Sequence, residues 1–141
     1  IVDVTRDRLV GIRDVYPDAP IHSAVSRIDE GLIAGRAILA DPHARPTAII
    51  AQSDMLAAGV LRAAEELGIS VPEQLSVTGF DGVEIDGIAP RTLTTLVQPA
   101  AAKGRAAGDA LAQMLRGEKS IEFTCAFRRG DTTGPAAALR G

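Results

Sequence analysis

The residues of this chain that could do chemistry are polar and widely spaced, and most follow short apolar runs. Gln52, Ser53 and Asp54 follow the apolar run Thr47–Ala51, and Gly79-Phe80-Asp81-Gly82 closes the run Leu75–Thr78. Arg6 lies in the first turn of an opening amphipathic stretch. Arginine, serine, aspartate and glutamine are hydrogen-bonding types, and together they suit a polyhydroxylated or otherwise polar small molecule. They do not assemble into a catalytic set. His22 and His43 have no sequence-local partner for a nucleophile–base pair, and no serine lies in a nucleophile elbow. There is no Walker loop and no dinucleotide glycine motif. Gly79–Gly82 superficially suggests a kinase metal-binding motif, but the rest of that signature is missing. Asp81 alone, without a partner group, is a poor general base. The chain is therefore expected not to be an enzyme. Neither a metal nor a cofactor is expected.

The elements that must place these residues can be read from the hydrophobic pattern. Thr47–Ala51 has the look of a strand buried on both faces. Ser53 or Asp54 can cap a helix running to about Leu67, where Gly68 takes the C-terminal left-handed position. Leu75–Thr78 is a second strand. Strand, helix and strand make a βαβ unit, and ligands of open parallel sheets bind beyond the carboxyl ends of the strands. Both polar turns lie at that end. Upstream, Ile1–Tyr16 has near-helical apolar spacing, Pro20–Ser26 reads as a short strand, and Asp29 can cap a helix to about Ala40. The buried stripe of that helix would be Leu32, Ile33, Ala37 and Ile38. Downstream, Leu93–Gln98 is a strand, Pro99 opens a helix to about Leu115 with Gly117 at its end, and Ile121–Arg129 is a last strand. Gly104 and Gly108, four apart, would allow another element to approach closely. This alternation predicts an α/β fold with a parallel sheet in three α/β/α layers.

Composition bounds the function. The chain has 141 residues, 46% hydrophobic and 23% charged, with only 3% aromatics. A net charge of −3 leaves no basic footprint for nucleic acid. The single cysteine, Cys125, forbids an intrachain disulfide and a cysteine-built metal site, and reads as a buried strand residue. No apolar run approaches the roughly 20 residues of a membrane helix. The chain opens mid-element without Met, so it reads as a piece of a longer protein.

Six segments, in order, resemble the effector-binding domain of the LacI/GalR family of bacterial transcription regulators. They are Thr5–Gly11 (TRDRLVG), Gly31 with Ala34, Pro46–Ile50 with Ser53–Gly59 (SDMLAAG), Leu67–Asp81 (LGISVPEQLSVTGFD), Leu93–Pro99 (LTTLVQP) and Phe127–Thr133 (FRRGDTT). The resemblance implies a Rossmann-like, type I periplasmic-binding-protein-like fold with the effector between two subdomains. Residues 1–92 would be the C-terminal subdomain. Residues 93–117 would be a strand and helix crossing into the N-terminal subdomain, and 118–141 the returning strand and tail. It also implies a sugar or nucleoside-like effector, a homodimer, operator DNA bound through a helix-turn-helix headpiece that this chain lacks, and a cytoplasmic location without membrane contact. The alternative is a periplasmic sugar-binding protein of an ABC transporter, which shares the fold. Carried over position by position, the ligand contacts would be Arg6, Ser53 (where many members have Asn), Asp81 and Gln98. Ser26 stands where some members put an aromatic ring on the ligand. Asp54 can be a cap or a contact, and Asp81 a contact or a turn residue. The dimer surface would be the Met55–Glu66 helix and the Val83–Ala89 loop, with Met55, Val60, Ala63 and Ile85.

Overall fold

A computed structural model describes residues 2–85, 88, 90–114 and 123–135. Four helices, α1 (Val2–Val15), α2 (Ile28–Leu39), α3 (Asp54–Glu66) and α4 (Ala100–Met114), accompany four strands, β1 (Ala48–Ile50), β2 (Ser76–Asp81), β3 (Thr94–Val97) and β4 (Ala126–Arg128). The strands form one sheet in the order β1-β2-β3-β4. The first three are parallel, with Ile50 opposite Thr78 and Phe80 opposite Leu96. β4 is antiparallel to β3. The expected α/β architecture is present, and its sheet is mixed at one edge, a common departure in otherwise parallel sheets.

The βαβ unit forms as its sequence dictates. Ser53 is the N-cap of α3, in extended conformation, and its hydroxyl accepts from the Leu56 N–H at 3.2 Å. Gly68 ends the helix at φ 65°. The buried side of α3 is mostly alanine, with Gly59, Val60 and Leu61. Ala57, Ala58, Ala63 and Ala64 are fully buried, and they join Val77, Leu75, Leu93 and Leu39 in the core.

α2 departs from its expected face. Its buried residues are Gly31, Gly35 and Leu39, while Ile33 is 60% exposed. Glycine backbone meets helix backbone here: a Cβ on Gly59 of α3 would lie 2.3 Å from Ile28 O, and one on Gly31 would lie 2.5 Å from Leu56 O. So short an interhelical distance selects the glycine side of α2, not its apolar stripe. Asp29 does not cap the helix. The N-cap is Arg27, which makes no side-chain capping bond and instead pairs with Asp29 at 2.6 Å.

Four further expectations are corrected. Pro20–Ser26 is not a strand: it makes no ladder with β1 or with any other strand of the sheet. β1 is not buried on both faces: Ile50 is 46% exposed. The residues 93–98 do not stand apart from the sheet of residues 1–92, since β3 hydrogen bonds along β2 over four register positions. Leu93, just before β3, and Thr94 and Thr95 within it are buried, and of the strand only Leu96 is exposed. α4 is the element that projects, with Leu111 71% exposed, and nothing described lies within 4 Å of a Cβ built on Gly104 or Gly108. Cys125 is half-buried, not buried. The predicted helix end at Leu115–Gly117 and the start of the last strand at Ile121 lie outside the described residues.

Candidate functional site

Parallel pairing of β1, β2 and β3 carries their carboxyl ends to one rim, and each end delivers a polar residue. β1 delivers Gln52 and Ser53, β2 delivers Asp81, and β3 delivers Gln98. Asp81 is the centre of the set. Its Oδ1 accepts from Gln98 Nε2 at 2.6 Å, while the Gln98 N–H donates to Asp81 O at 3.0 Å. Gln98 Oε1 in turn accepts from Lys103 Nζ, in the first turn of α4. Asp81 stands at φ 120°, followed by Gly82 at φ 78°. Such a backbone in a non-glycine residue costs on the order of 1–3 kcal/mol and persists only where its surroundings hold it. Here they do: Gly82 lies so close to β3 that a Cβ would sit 2.7 Å from Val97 Cα.

On the other side of the rim, the Ser26 hydroxyl donates to Ser53 Oγ at 2.6 Å, so two of the predicted residues meet directly. Ser53 is 4% exposed and already caps α3; Ser26 is the more open of the two. Gln52 is half-buried, and its Oε1 has no hydrogen-bond partner among the described residues. A buried acceptor without a donor is uncommon enough to need a reason.

The arginine at the rim is Arg8, not Arg6. Arg6 is exposed and makes no ion pair or hydrogen bond among the described residues. Arg8 donates from Nη1 to Gln52 O at 2.9 Å, holds Nη2 3.9 Å from Asp81 Oδ1, and lies over the Phe80 ring. A signal for this was available. Arg8, Ile12 and Val15 are spaced four and three apart, so they share one helical face, whereas Arg6 is turned away. All three line a cavity of about 520 Å³ between α1 and the sheet, closed below by Ile50, Phe80, Leu96 and Phe127. The cavity is mainly apolar, and its polar end is the rim at Arg8 and Gln52.

Asp54 resolves in favour of neither sequence alternative. It is fully buried, accepting from Thr95 Oγ1 at 2.5 Å and from the Val83 N–H at 2.8 Å. Of the residues expected at a dimer surface, Val60 (4% exposed) and Ala63 (0%) are buried beneath α2, which excludes them. A Cβ on Gly35 would lie 2.8 Å from Ala63 Cβ. Met55 is exposed and Ile85 half-buried.

A family model described as a periplasmic binding protein-like domain matches residues 10–124. The chain belongs to that family. Its relatives place it with the LacI/GalR regulators, as part of an effector-binding domain. The HTH-type transcriptional regulator IpsA of Corynebacterium glutamicum is 35% identical, over 94% of this chain and 39% of its own length. The ribose operon repressor of Haemophilus influenzae is 31% identical, over 89% of this chain and 41% of its own length. A LacI family transcriptional regulator from Enterococcus faecium, solved with bound ribose, has a TM-score of 0.71 at 26% identity, covering 87% of this chain and 48% of that one. The chain thus spans about two fifths of the curated relatives it matches (39% and 41%). Among the described residues no helix is long and apolar enough to cross a membrane, and no group of three or more His, Cys, Asp or Glu could hold a metal ion.

Proposed function

We propose that this chain is one half of the effector cleft of a LacI-type transcription regulator, and that the rim binds a sugar or a similarly polar small molecule. The convergence of Arg8, Ser53, Asp81 and Gln98 at one edge of the parallel strands supports this reading. Asp81 accepts from ligand hydroxyls. Arg8 presents a planar donor fork. A ligand hydroxyl donating to Asp81 competes with the Gln98 amide, so binding loosens the Asp81–Gln98–Lys103 chain at the foot of α4. In the whole protein α4 belongs to the second subdomain, and a change in its angle is the route from effector to the operator-binding headpiece of a homodimer. This is coupling between two distinct sites. The reading includes no catalytic step and a cytoplasmic setting. Curated relatives named as regulators and repressors favour it over a periplasmic transport protein of the same fold.

Calorimetric titration with ribose, glucose, sucrose and lactose tests it. At least one is expected to bind the wild-type protein, and Asp81→Ala to weaken that binding by about 1.5–3 kcal/mol, the range for a hydrogen bond to a charged group. Undiminished binding in Asp81→Ala would remove the rim from the cleft.

A further inference from the structure

Asp54 is fully buried at the first position of α3, where no atom of it can reach a ligand. A carboxylate withdrawn from water must be compensated. Three elements do so. The Thr95 hydroxyl, from β3, donates to Oδ1 at 2.5 Å. The Val83 N–H, from the turn after β2, donates to Oδ2 at 2.8 Å. The amino end of its own helix favours negative charge. Gly79 leaves the space, since a Cβ there would lie 2.2 Å from Asp54 Oδ1. The residues beside these partners are those of the rim. Ser53 precedes Asp54, Asp81 is two residues before Val83, and Gln98 is three after Thr95.

We propose that Asp54 is the positioning residue of the rim. Its carboxylate ties the turn 81–83 to β3 and to the start of α3, and so holds Asp81 at its positive φ with the carboxylate facing Gln98 and Arg8. The proposal rests on reading the rim as the effector site. It deepens that reading by assigning the geometry of the site to a residue that never meets the effector. A carboxylate serving only the core would affect global stability. A positioning carboxylate also sets the order of one turn and the affinity of the site.

The test compares Asp54→Asn, Thr95→Val and Thr95→Ser with the wild-type protein, using Gly35→Ala as a control that strains the α2–α3 contact away from the rim. Amide hydrogen exchange is read at Val83 and ribose affinity by calorimetry, alongside thermal unfolding. Asp54→Asn and Thr95→Val are expected to speed Val83 exchange and weaken ribose binding, each by roughly tenfold to a hundredfold, the scale of a lost charge-assisted hydrogen bond. Thr95→Ser, which keeps the hydroxyl, is expected to retain both. Gly35→Ala is expected to lower the unfolding midpoint without either change. The proposal is overturned if Val83 exchange in Thr95→Val matches that of Gly35→Ala, or if Thr95→Ser behaves as Thr95→Val. If the wild-type protein binds no sugar, the effector reading fails, and Val83 exchange still decides for or against the anchor.

Discussion

The guanidinium of Arg8 lies 3.7 Å from the centre of the Phe80 ring. The two residues come from elements far apart in the chain, and the stack brings the end of the arginine to within 3.9 Å of Asp81. A flat cation on an aromatic face is held by the ring quadrupole, and the plane restricts where its remaining donors point. Phe80 therefore orients the Arg8 fork, although it is not itself a polar group.

Arg8→Lys keeps the charge and loses the fork. Cation–π attraction of about 0.5–2 kcal/mol and the bond to Gln52 O are both weakened. Affinity for whichever sugar binds is expected to fall about tenfold, a loss near 1.4 kcal/mol. Arg6→Lys is expected to leave it unchanged. Equal effects of the two substitutions in calorimetry would contradict the placement of Arg8.

The α2–α3 contact is set by glycine. In Gly59→Ala the new Cβ meets backbone, 2.3 Å from Ile28 O and 2.4 Å from Leu32 N, and neither atom can step aside. Overpacking of this kind costs roughly 1–3 kcal/mol or more. Gly104→Ala enters open space within α4 and is expected to gain about 0.5–1 kcal/mol. Urea unfolding of both variants checks the contrast.

The same two helices are joined at the surface by a two-pronged pair, Arg36 Nε and Nη2 to Glu66 at 2.6 and 2.9 Å. The hydrogen bond to Arg36 holds the Glu66 carboxyl below its ordinary value of 4.5. Because the folded value lies below the unfolded one, the contribution is present above pH 4.5 and disappears as pH falls through the lower folded value. Glu66→Gln is expected to flatten this part of the acid limb of stability. The effect should be small and should shrink with salt, as for other exposed pairs. A pH series of denaturation midpoints at low and high salt measures it.

Thr132 inserts between β2 and β3 at the end opposite the rim. It is fully buried; its hydroxyl donates to Val77 O at 2.8 Å and accepts from the Thr94 N–H at 3.0 Å, while its carbonyl accepts from the Val77 N–H at 2.8 Å. Thr132→Val keeps the shape and strands a buried N–H and a buried carbonyl, at an expected cost of about 1–3 kcal/mol. Thr132→Ser should recover most of it. Thermal unfolding distinguishes the two.

Local chemistry determined much of this protein without any tertiary context. Ser53 or Asp54 before an apolar helical run pointed to a helix start, the glycine after Leu67 to its end, and the runs around Ile49 and Val77 to strands. Their polar ends therefore had to share a rim. The motifs from Thr5 to Thr133 carried the family. Tertiary contact decided what depends on distance between elements. Arg6 and Arg8 are the same residue type two positions apart; helical spacing puts Arg8 on the face of Ile12 and Val15, and the seat of α1 over Phe80 shows that this face meets the rim. Ile33 lost to Gly31 and Gly35 because α3 comes closer than an isoleucine permits. Pro20–Ser26 has strand-like residues but no partner, and a ladder needs two strands. Asp54 could not be resolved from its neighbours, since Thr95 and Val83, which bind its carboxylate, are 41 and 29 residues away.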